Sequence, residues 1–347
     1  MSQKSQSQKF LIIQTAFIGD VVLSLPVAQI LKSKFPDCSV SFFVRKGNEN
    51  LLENHPAVDD IFIWNKRQGK YRSLYANYSR LKKIHWDGIF NLHRFFSTGL
   101  LTSVLHGDIK VGFDKNPFSK FFDHAIAHEI PFKEDGNVKH EVDRNLQLLS
   151  PLNIQEFENP KLYPSQQDYD AVKSYKNNPY YVIAPSSVWF TKQWPQSKWI
   201  ELIQNVPETI DILLIGGPGD TEYCDEIAEH KSNCINAAGK LTFLQSAALI
   251  DDALLTIVND SAPLHFSSAM NTPTIAIYCS TIPDFGFYPL AENSQVVEYS
   301  GELYCRPCGL HGFKECPEDH FQCAQDIPIK SVLEAIHNVI EPETPGS

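Results

Sequence analysis

Several stretches of the sequence place polar or charged side chains directly after an apolar run, where α/β proteins commonly bind ligands. The apolar residues 10–13 precede QTAFIGD, in which Gly19 permits a tight turn and Asp20 opens a helical pattern. A carboxylate at this position either caps the helix or, kept ionised by the helix dipole, acts as a general base. The residues alone are compatible with both roles.

A second stretch, APSSVWFTKQWP, follows the apolar residues 180–184 and supplies Ser186, Ser187 and Lys192. Two hydroxyl groups, nearby backbone N–H groups and an ammonium group are typical of a phosphate-binding loop. Small polar loops without a ligand are equally common, so the pattern alone does not decide between the two. The stretch lacks the Walker spacing, which argues against a P-loop nucleotide hydrolase.

Glycine-rich residues form a third candidate turn, GGPGD, which includes Gly217 and follows the apolar residues 210–215. A tight turn alone would explain these glycines. The motif does not match G-x-G-x-x-G and does not follow the first strand, so a dinucleotide-dependent oxidoreductase is disfavoured.

The fourth stretch, NDSAPLHFSSAMNTPTIAIY, follows the apolar residues 253–258. Its candidate site residues are Asp260, Ser261, Ala262 and His265, and a proline suits the first helical turn. One interpretation is that Asp260 or Ser261 caps the helix and His265 is satisfied locally. The other is a diphosphate site at a helix N-terminus, with His265 as a further donor.

Strand-like runs alternate with helical patterns, which indicates parallel sheets joined by right-handed crossovers. The predicted strands are residues 10–13, 39–44, 60–64, 88–92, 180–184, 210–215, 253–258 and 274–278. The alternation stops in a polar, proline-rich segment, in which a hinge is expected near residues 155–175. The sequence therefore predicts an α/β protein with two Rossmann-like domains, 1–165 and 166–347, facing each other across a cleft.

The charge distribution limits the classes of partner. A net charge of −11 argues against general affinity for nucleic acid, yet residues 61–84 carry seven basic and no acidic residues. That segment is either a solvated surface or a binding surface for an anionic partner.

No apolar stretch reaches the roughly 20 residues of a membrane span, and the N-terminus lacks a signal-peptide core. A cytoplasmic protein is expected.

Half of the eight cysteines cluster in residues 305–323, with the sequence CRPCGLHGFKECPEDHFQC. Cys305, Cys308, Cys316 and Cys323 have a spacing that suits a structural zinc or iron ion, and His311 or His320 could replace one ligand. Free thiols and, less readily in the cytoplasm, disulfides are the alternatives. This loop is not expected to take part in the chemistry.

Taken together, these stretches resemble glycosyltransferase family 9, which includes the lipopolysaccharide heptosyltransferases. The resemblance rests on FIGDVVLSLPV, APSSVWFTKQWP, LLIGGPGD and NDSAPLHFSSAMNTPTIAIYCSTIPDFGF, which occur in the family's order along most of the chain. The end of the last motif, STIPDFGFYPL, is closer to heptosyltransferase II than to heptosyltransferase I. The resemblance implies a GT-B fold and an inverting transfer from a nucleotide-activated heptose without a catalytic metal.

The resemblance also implies roles for individual residues. Asp20 matches the family's catalytic base, and Lys192 matches the residue that stabilises the leaving diphosphate. Ser186 and Ser187 match its hydroxyl ligands, and Gly217 belongs to the glycine-rich donor-side motif. Asp260, Ser261, Ala262 and His265 match the donor-binding turn. The family commonly has glycine where this chain has Ala262, and alanine can offer the same N–H if its φ is negative.

The expected function is transfer of heptose from ADP-L-glycero-D-manno-heptose to an anionic lipopolysaccharide inner-core acceptor, by an enzyme in peripheral contact with the inner membrane. No cofactor is expected to be required for catalysis. Two alternatives remain open at this point: a transferase or epimerase that uses another nucleotide sugar, and a non-catalytic nucleotide-sugar-binding module.

Overall fold

The computed structural model of the chain describes residues 7–129 and 138–340. The chain divides into two compact units, Met1–Tyr163 and Pro164–Ser347, and this division falls inside the segment in which the hinge is expected. Each unit is a parallel sheet with helices. The predicted α/β class with two Rossmann-like sheets is confirmed.

The first unit contains six parallel strands in the order β3-β2-β1-β4-β5-β6. They are β1 (Lys9–Ile13), β2 (Ser39–Arg45), β3 (Asp60–Trp64), β4 (Trp86–Asn91), β5 (Gly107–Phe113) and β6 (His124–Ile126). The apolar run in β1 is buried, as expected for a central strand with helices on both faces. Because β1 lies between β2 and β4, the winding of the chain reverses between β1 and β4.

The helices in the described part of the first unit are 5 to 12 residues long. They are α1 (Ile18–Val22), α2 (Leu25–Lys34), α3 (Lys70–Leu81), α4 (Phe96–Val104) and α5 (Glu141–Leu146). Single 3₁₀ segments cover Glu49–Leu52, Ser119–Phe121 and Gln147–Leu152. Helix α2 starts with a proline in its first turn, a position that needs no backbone N–H donor.

The second unit repeats this topology, with strand order β12-β11-β10-β7-β8-β9. Its strands are β7 (Tyr180–Ala184), β8 (Asp211–Leu214), β9 (Cys234–Asn236), β10 (Leu255–Asn259), β11 (Thr274–Tyr278) and β12 (Ser294–Glu298). The direction of winding reverses between β7 and β10, which pair in parallel.

The described part of the second unit contains seven helices. They are α6 (Gln166–Val172), α7 (Gln196–Asn205), α8 (Thr221–Ala228), α9 (Phe243–Asp251), α10 (Ala262–Met270), α11 (Gln322–Gln325) and α12 (Ile329–Ile340). The 3₁₀ segments are Lys173–Tyr175, Phe190–Lys192, Pro218–Asp220 and Pro283–Phe285.

The core of the second unit includes the end of the cysteine-rich loop. Trp194 and Trp199 pack edge to face with ring centroids 5.1 Å apart, and Phe321, Cys323 and Ala324 belong to the same buried cluster. The loop is therefore anchored in the core at its C-terminal end. In the described residues no helix is long and apolar enough to cross a membrane.

Candidate active site

The two loops at the winding reversal of the second unit bring Lys192 and Asp260 together. Lys192 ends the 3₁₀ turn after β7, and Asp260 directly follows β10. Since β7 and β10 are neighbours, their carboxyl ends open at the same edge of the sheet. This edge is where open α/β sheets bind ligands.

Lys192 and Asp260 form a largely buried ion pair. The Lys192 Nζ lies 2.6 Å from Asp260 Oδ2, and the two side chains are 14% and 9% exposed. The hydroxyl of Thr281 donates to the same Oδ2 at 2.7 Å. Asp260 therefore orients the ammonium group, and it does not act as the helix cap that one interpretation of the sequence assigned to it.

Asn259 ties the same two loops together one residue earlier. Its Oδ1 accepts from the backbone N–H of Trp194 at 3.0 Å, and its Nδ2 donates to the carbonyl oxygen of Pro185 at 2.8 Å. Asn259 is fully buried. A buried amide with both ends satisfied fixes the spacing of the loops on which Lys192 and Asp260 lie.

The N-terminus of α10 lies beside this ion pair. Ser261 occupies the N-cap position without a side-chain capping bond, and among the described residues its buried hydroxyl oxygen has no hydrogen-bond partner. Ala262 begins the helix and is not among the residues with positive φ. Alanine therefore leaves the backbone N–H in the same helical turn as a glycine would. His265 is buried in the next turn, near the ring of Phe287.

The remaining predicted donor residues occupy neighbouring loops. Ser186 and Ser187 are half-buried in the loop after β7, and the carbonyl oxygen of Ser187 accepts from Gln193 Nε2 at 2.7 Å. Gly217 lies after β8, and its N–H donates to the carboxylate of Asp220 at 2.7 Å. The N–H of Gly217 is thus already used within its own turn.

In the first unit, Asp20 lies in the first turn of α1, after β1. Its Oδ2 accepts from the backbone N–H of Phe17 at 3.0 Å, and the side chain is half-buried. Burial, followed by repulsion from Glu141, raises the pKa of Asp20 to about 6, against the opposing effects of backbone N–H groups and Arg45. A carboxylate with this pKa is ionised at neutral pH and is a stronger base than an ordinary aspartate.

Glu141 carries a second buried charge near Asp20. One carboxylate oxygen of Glu141 lies 2.6 Å from Arg144 Nε and the other 3.4 Å from His128 Nε2. Burial alone would raise the pKa of Glu141, but the hydrogen bond from His128 and the charge of Arg144 hold this pKa below its ordinary value. Glu141 therefore stays negative and acts on Asp20 through repulsion.

His93 and Lys66 are site residues that the sequence analysis did not single out individually. His93 follows β4, and its Nδ1 lies 3.1 Å from Thr15 Oγ1, while Lys66 Nζ donates to the carbonyl oxygen of Thr15 at 3.1 Å. Burial, with the nearby positive charges of Lys66 and Arg94, lowers the pKa of His93 to about 3. A histidine directly after a predicted strand was the available signal. Lys66 comes from the basic segment 61–84.

The four clustered cysteines lie in the described part of the chain as free thiols. Cys305 Sγ is 3.7 Å from His320 Nε2, and Cys308 Sγ is 3.2 Å from the carbonyl oxygen of Cys305. Cys316 is half-buried and Cys323 is buried. Across residues 7–129 and 138–340, no group of three or more His, Cys, Asp or Glu side chains is arranged to hold a metal ion. As placed here, the thiols do not form the predicted ligand set.

The chain resembles known proteins over most of its length. The model of glycosyltransferase family 9 (heptosyltransferase) matches residues 75–318. Lipopolysaccharide heptosyltransferase 3 of Escherichia coli is 26% identical, over 95% of this chain and 99% of that protein.

Solved structures show the same fold. E. coli ADP-heptose lps heptosyltransferase II has a TM-score of 0.76 and 20% identity, covering 96% of this chain and 98% of the other. The iron-containing dodecameric glycosyltransferase TibC of enterotoxigenic E. coli H10407 has a TM-score of 0.58 and 16% identity, covering 96% and 77%. The predicted GT-B class is confirmed, and the chain belongs to glycosyltransferase family 9, the heptosyltransferase family.

Proposed function

We propose that this enzyme transfers heptose from ADP-L-glycero-D-manno-heptose to an anionic lipopolysaccharide inner-core acceptor, with inversion at the anomeric carbon. The observation that carries the proposal is the Lys192–Asp260 ion pair beside the N-terminus of α10. An oriented ammonium group and the N–H groups of a helix N-terminus suit a diphosphate, which is the leaving group of an ADP-sugar.

In the proposed reaction, an acceptor hydroxyl oxygen attacks the anomeric carbon of heptose while the bond from that carbon to the diphosphate oxygen breaks. The hydroxyl proton passes to the carboxylate of Asp20, and ADP leaves with the bonding electrons. The pKa of Asp20, raised to about 6 by burial and by Glu141, supports its role as the base.

Lys192 stabilises the negative charge that develops on the leaving ADP, and Asp260 with Thr281 keeps its ammonium group oriented. Ser261 is the strongest candidate among the hydroxyl ligands, because its buried oxygen has no partner among the described residues. Ser186, Ser187, Ala262 and His265 are proposed to complete the donor site. Gly217 contributes to the shape of the site and not through its N–H, which Asp220 already accepts.

Basic side chains near Asp20 support an anionic acceptor. Burial and then the positive charge of Arg45 lower the pKa of Lys66, and Arg45 also interacts electrostatically with Asp20 and Arg67. Lys66 and Arg67 belong to the basic segment 61–84. These groups could bind phosphate or carboxylate substituents of a glycolipid core.

We propose that the exposed apolar face of α4 contacts an anionic membrane. Phe96, Leu100 and Val104 follow one another at intervals of four and are 58%, 38% and 44% exposed. Phe95 precedes Phe96 in the chain, and Phe121 packs against Phe118, which in turn packs edge to face against Phe96. Phe95 and Phe121 are 64% and 66% exposed. Together these five residues are called the α4 surface. Exposed Arg94 and Lys120 directly precede Phe95 and Phe121 in the chain, exposed Lys115 lies six residues before Phe121, and all three suit an anionic headgroup layer.

The cysteine cluster is proposed to bind a structural zinc or iron ion, since its spacing and the iron content of TibC both favour this. The thiols would have to move from their present positions to do so, and no catalytic step depends on the ion. Metal analysis of the purified protein, with Cys305→Ser and Cys308→Ser as controls, tests this. Stoichiometric zinc or iron that is lost in the variants supports it, and protein purified without metal contradicts it.

A thermal-shift series tests the donor. A ligand that binds only the folded state raises the melting temperature, so ADP and ADP-heptose should stabilise the wild type and act less on Lys192→Met. UDP and GDP compounds should act weakly. Stabilisation by UDP compounds and not by ADP compounds would contradict the heptose donor.

A further inference from the structure

The cysteine-rich loop lies directly against the residues that hold Lys192. Thr191, the residue before Lys192, is 1% exposed and exchanges hydrogen bonds with Phe313 of this loop. The Phe313 N–H donates to Thr191 Oγ1 at 2.8 Å, and the Thr191 N–H donates to the Phe313 carbonyl oxygen at 3.1 Å. The loop thus fixes both the backbone and the side chain next to Lys192.

The same loop also holds the segment that supports Asp260. The N–H of Cys308 donates to the carbonyl oxygen of Ser280 at 2.8 Å. The guanidinium group of Arg306 donates to the carbonyl oxygens of Cys279 at 2.8 Å and Thr281 at 2.9 Å. The Thr281 hydroxyl donates to the carboxylate of Asp260. Arg306 therefore supports Asp260 indirectly, through Thr281.

Thr191 connects the two supported segments. The Ser280 hydroxyl donates to Thr191 Oγ1 at 3.0 Å, and the Ser280 N–H donates to the Thr191 carbonyl oxygen at 3.3 Å. Both residues are buried. One hydroxyl group therefore joins the turn that carries Lys192, the segment that carries Thr281 and the cysteine-rich loop.

Gly312 shows how closely the cysteine-rich loop approaches the turn that carries Lys192. It has a φ of +74°, and a methyl group in place of its hydrogen would lie 2.9 Å from Thr191 Oγ1 and 3.2 Å from Lys192 Cγ. Gly309, in the same loop, has a φ of +65°, but its methyl group would meet only the Phe313 ring, at 3.8 Å. Replacing either glycine by alanine should cause similar backbone strain, because both have a positive φ. Only at Gly312 would the added methyl group press on the turn that carries Lys192.

We infer that the cysteine-rich loop acts as a support for the donor-phosphate residues, with Thr191 and Arg306 as positioning residues. This inference rests on the proposed donor site and goes beyond it, because it gives the loop a role in donor binding through Lys192 and Asp260. The loop does not contact the donor in this scheme. Loosening it should weaken ADP binding and raise the KM for ADP-heptose, with little change in the KM for the acceptor.

The test measures ADP affinity by calorimetry and the kinetic constants for donor and acceptor. Thr191→Val, which removes only the hydroxyl group's hydrogen bonds, should weaken ADP binding about tenfold, and Thr191→Ser should restore it. Gly312→Ala should weaken ADP binding several-fold more than Gly309→Ala. If Thr191→Val does not fold, the comparison of Gly312→Ala with Gly309→Ala tests the support role of the loop in its place.

Lys192→Ala separates this inference from the proposed function. If Lys192→Ala weakens ADP binding but Thr191→Val binds as the wild type does, the donor site stands and the support role is wrong. Equal effects of Gly312→Ala and Gly309→Ala would also overturn it. If Lys192→Ala leaves ADP affinity unchanged, the donor site itself is wrong, and the support role fails with it.

Discussion

The ammonium group of Lys192 lies 2.6 Å from a carboxylate oxygen of Asp260, although the two residues come from loops after different strands. Both side chains are largely buried, so the pair is isolated from the solvent that weakens surface ion pairs. Removing one partner leaves the other charge uncompensated, which is more damaging than removing both.

This pairing predicts strongly non-additive effects on donor binding. Lys192→Met and Asp260→Asn should each weaken ADP affinity, whereas the double variant should be less impaired than the sum of the two. The coupling free energy should be about 1 to 3 kcal/mol. Calorimetric titration of the four proteins with ADP measures this energy. Additive effects would show that the two residues bind the donor independently.

Asp20→Asn should abolish turnover and also stabilise the first unit at neutral pH. The amide oxygen can still accept from the Phe17 N–H, so the first turn of α1 is retained. The pKa of Asp20 is raised from 3.8 to about 6, so between these values the folded state binds more protons than the unfolded state. Stability contributed by protonation is present at low pH and is lost as pH rises through about 6.

At neutral pH, the ionised Asp20 therefore costs stability on the order of 3 kcal/mol, a cost that asparagine removes. The measurement is the unfolding midpoint of wild type and Asp20→Asn at pH 7.5 and at pH 4.5. The variant should be more stable at the higher pH and should lose this advantage at the lower one. An unchanged or reduced midpoint at pH 7.5 would contradict the raised pKa.

The acid limb of the pH–rate profile should fall near pH 6, where Asp20 becomes protonated. Glu141→Gln removes the negative charge that raises the pKa of Asp20 while keeping an oxygen acceptor for Arg144. The limb should then move to lower pH, on the order of one unit. Glu158→Gln, which alters a partly exposed ion pair with Lys161, is the control. A limb that stays in place in Glu141→Gln would exclude this electrostatic coupling.

Binding to anionic vesicles should depend on the α4 surface. A variant with Phe96→Ser, Leu100→Ser and Phe121→Ser should sediment less with vesicles containing phosphatidylglycerol, and binding by the wild type should weaken at high salt. Phe157→Ser, also at an exposed phenylalanine of the first unit, should bind as the wild type does. Equal sedimentation of the triple variant and the wild type would reject this surface.

Sequence patterns predicted the central strands well because those strands are buried on both faces. Residues 180–184 and 274–278 match the fully buried strands β7 and β11 in full. Residues 60–64 match β3, an edge strand whose last four residues, Ile61 to Trp64, are a continuous apolar run. The strands that were missed are β5, β6, β9 and β12. Both β6 and β9 have only three residues, and β6, β9 and β12 lie at sheet edges. The sequences of these three strands, HAI, CIN and SQVVE, are short or include polar side chains, so they lack a continuous apolar run.

The sequence identified individual residues of the candidate site, but it could not indicate which of them contact one another. Lys192 and Asp260 were identified from their loops, whereas their ion pair and the hydrogen bond from Thr281 depend on the folded positions of three loops. Phe313 and Thr191 are 122 residues apart, so no local pattern could indicate that the cysteine-rich loop touches the Lys192 turn. Glu141 likewise acts on Asp20 only through tertiary packing.

The most direct test of the central claim is to incubate the purified enzyme with ADP-heptose and a lipopolysaccharide inner-core acceptor, and to follow ADP release and acceptor mass together. The wild type should release ADP only when acceptor is present, and the acceptor should gain one heptose with inverted anomeric configuration, while Asp20→Asn should do neither. Absence of heptose transfer by the wild type, or transfer at the wild-type rate by Asp20→Asn, would contradict the proposed reaction.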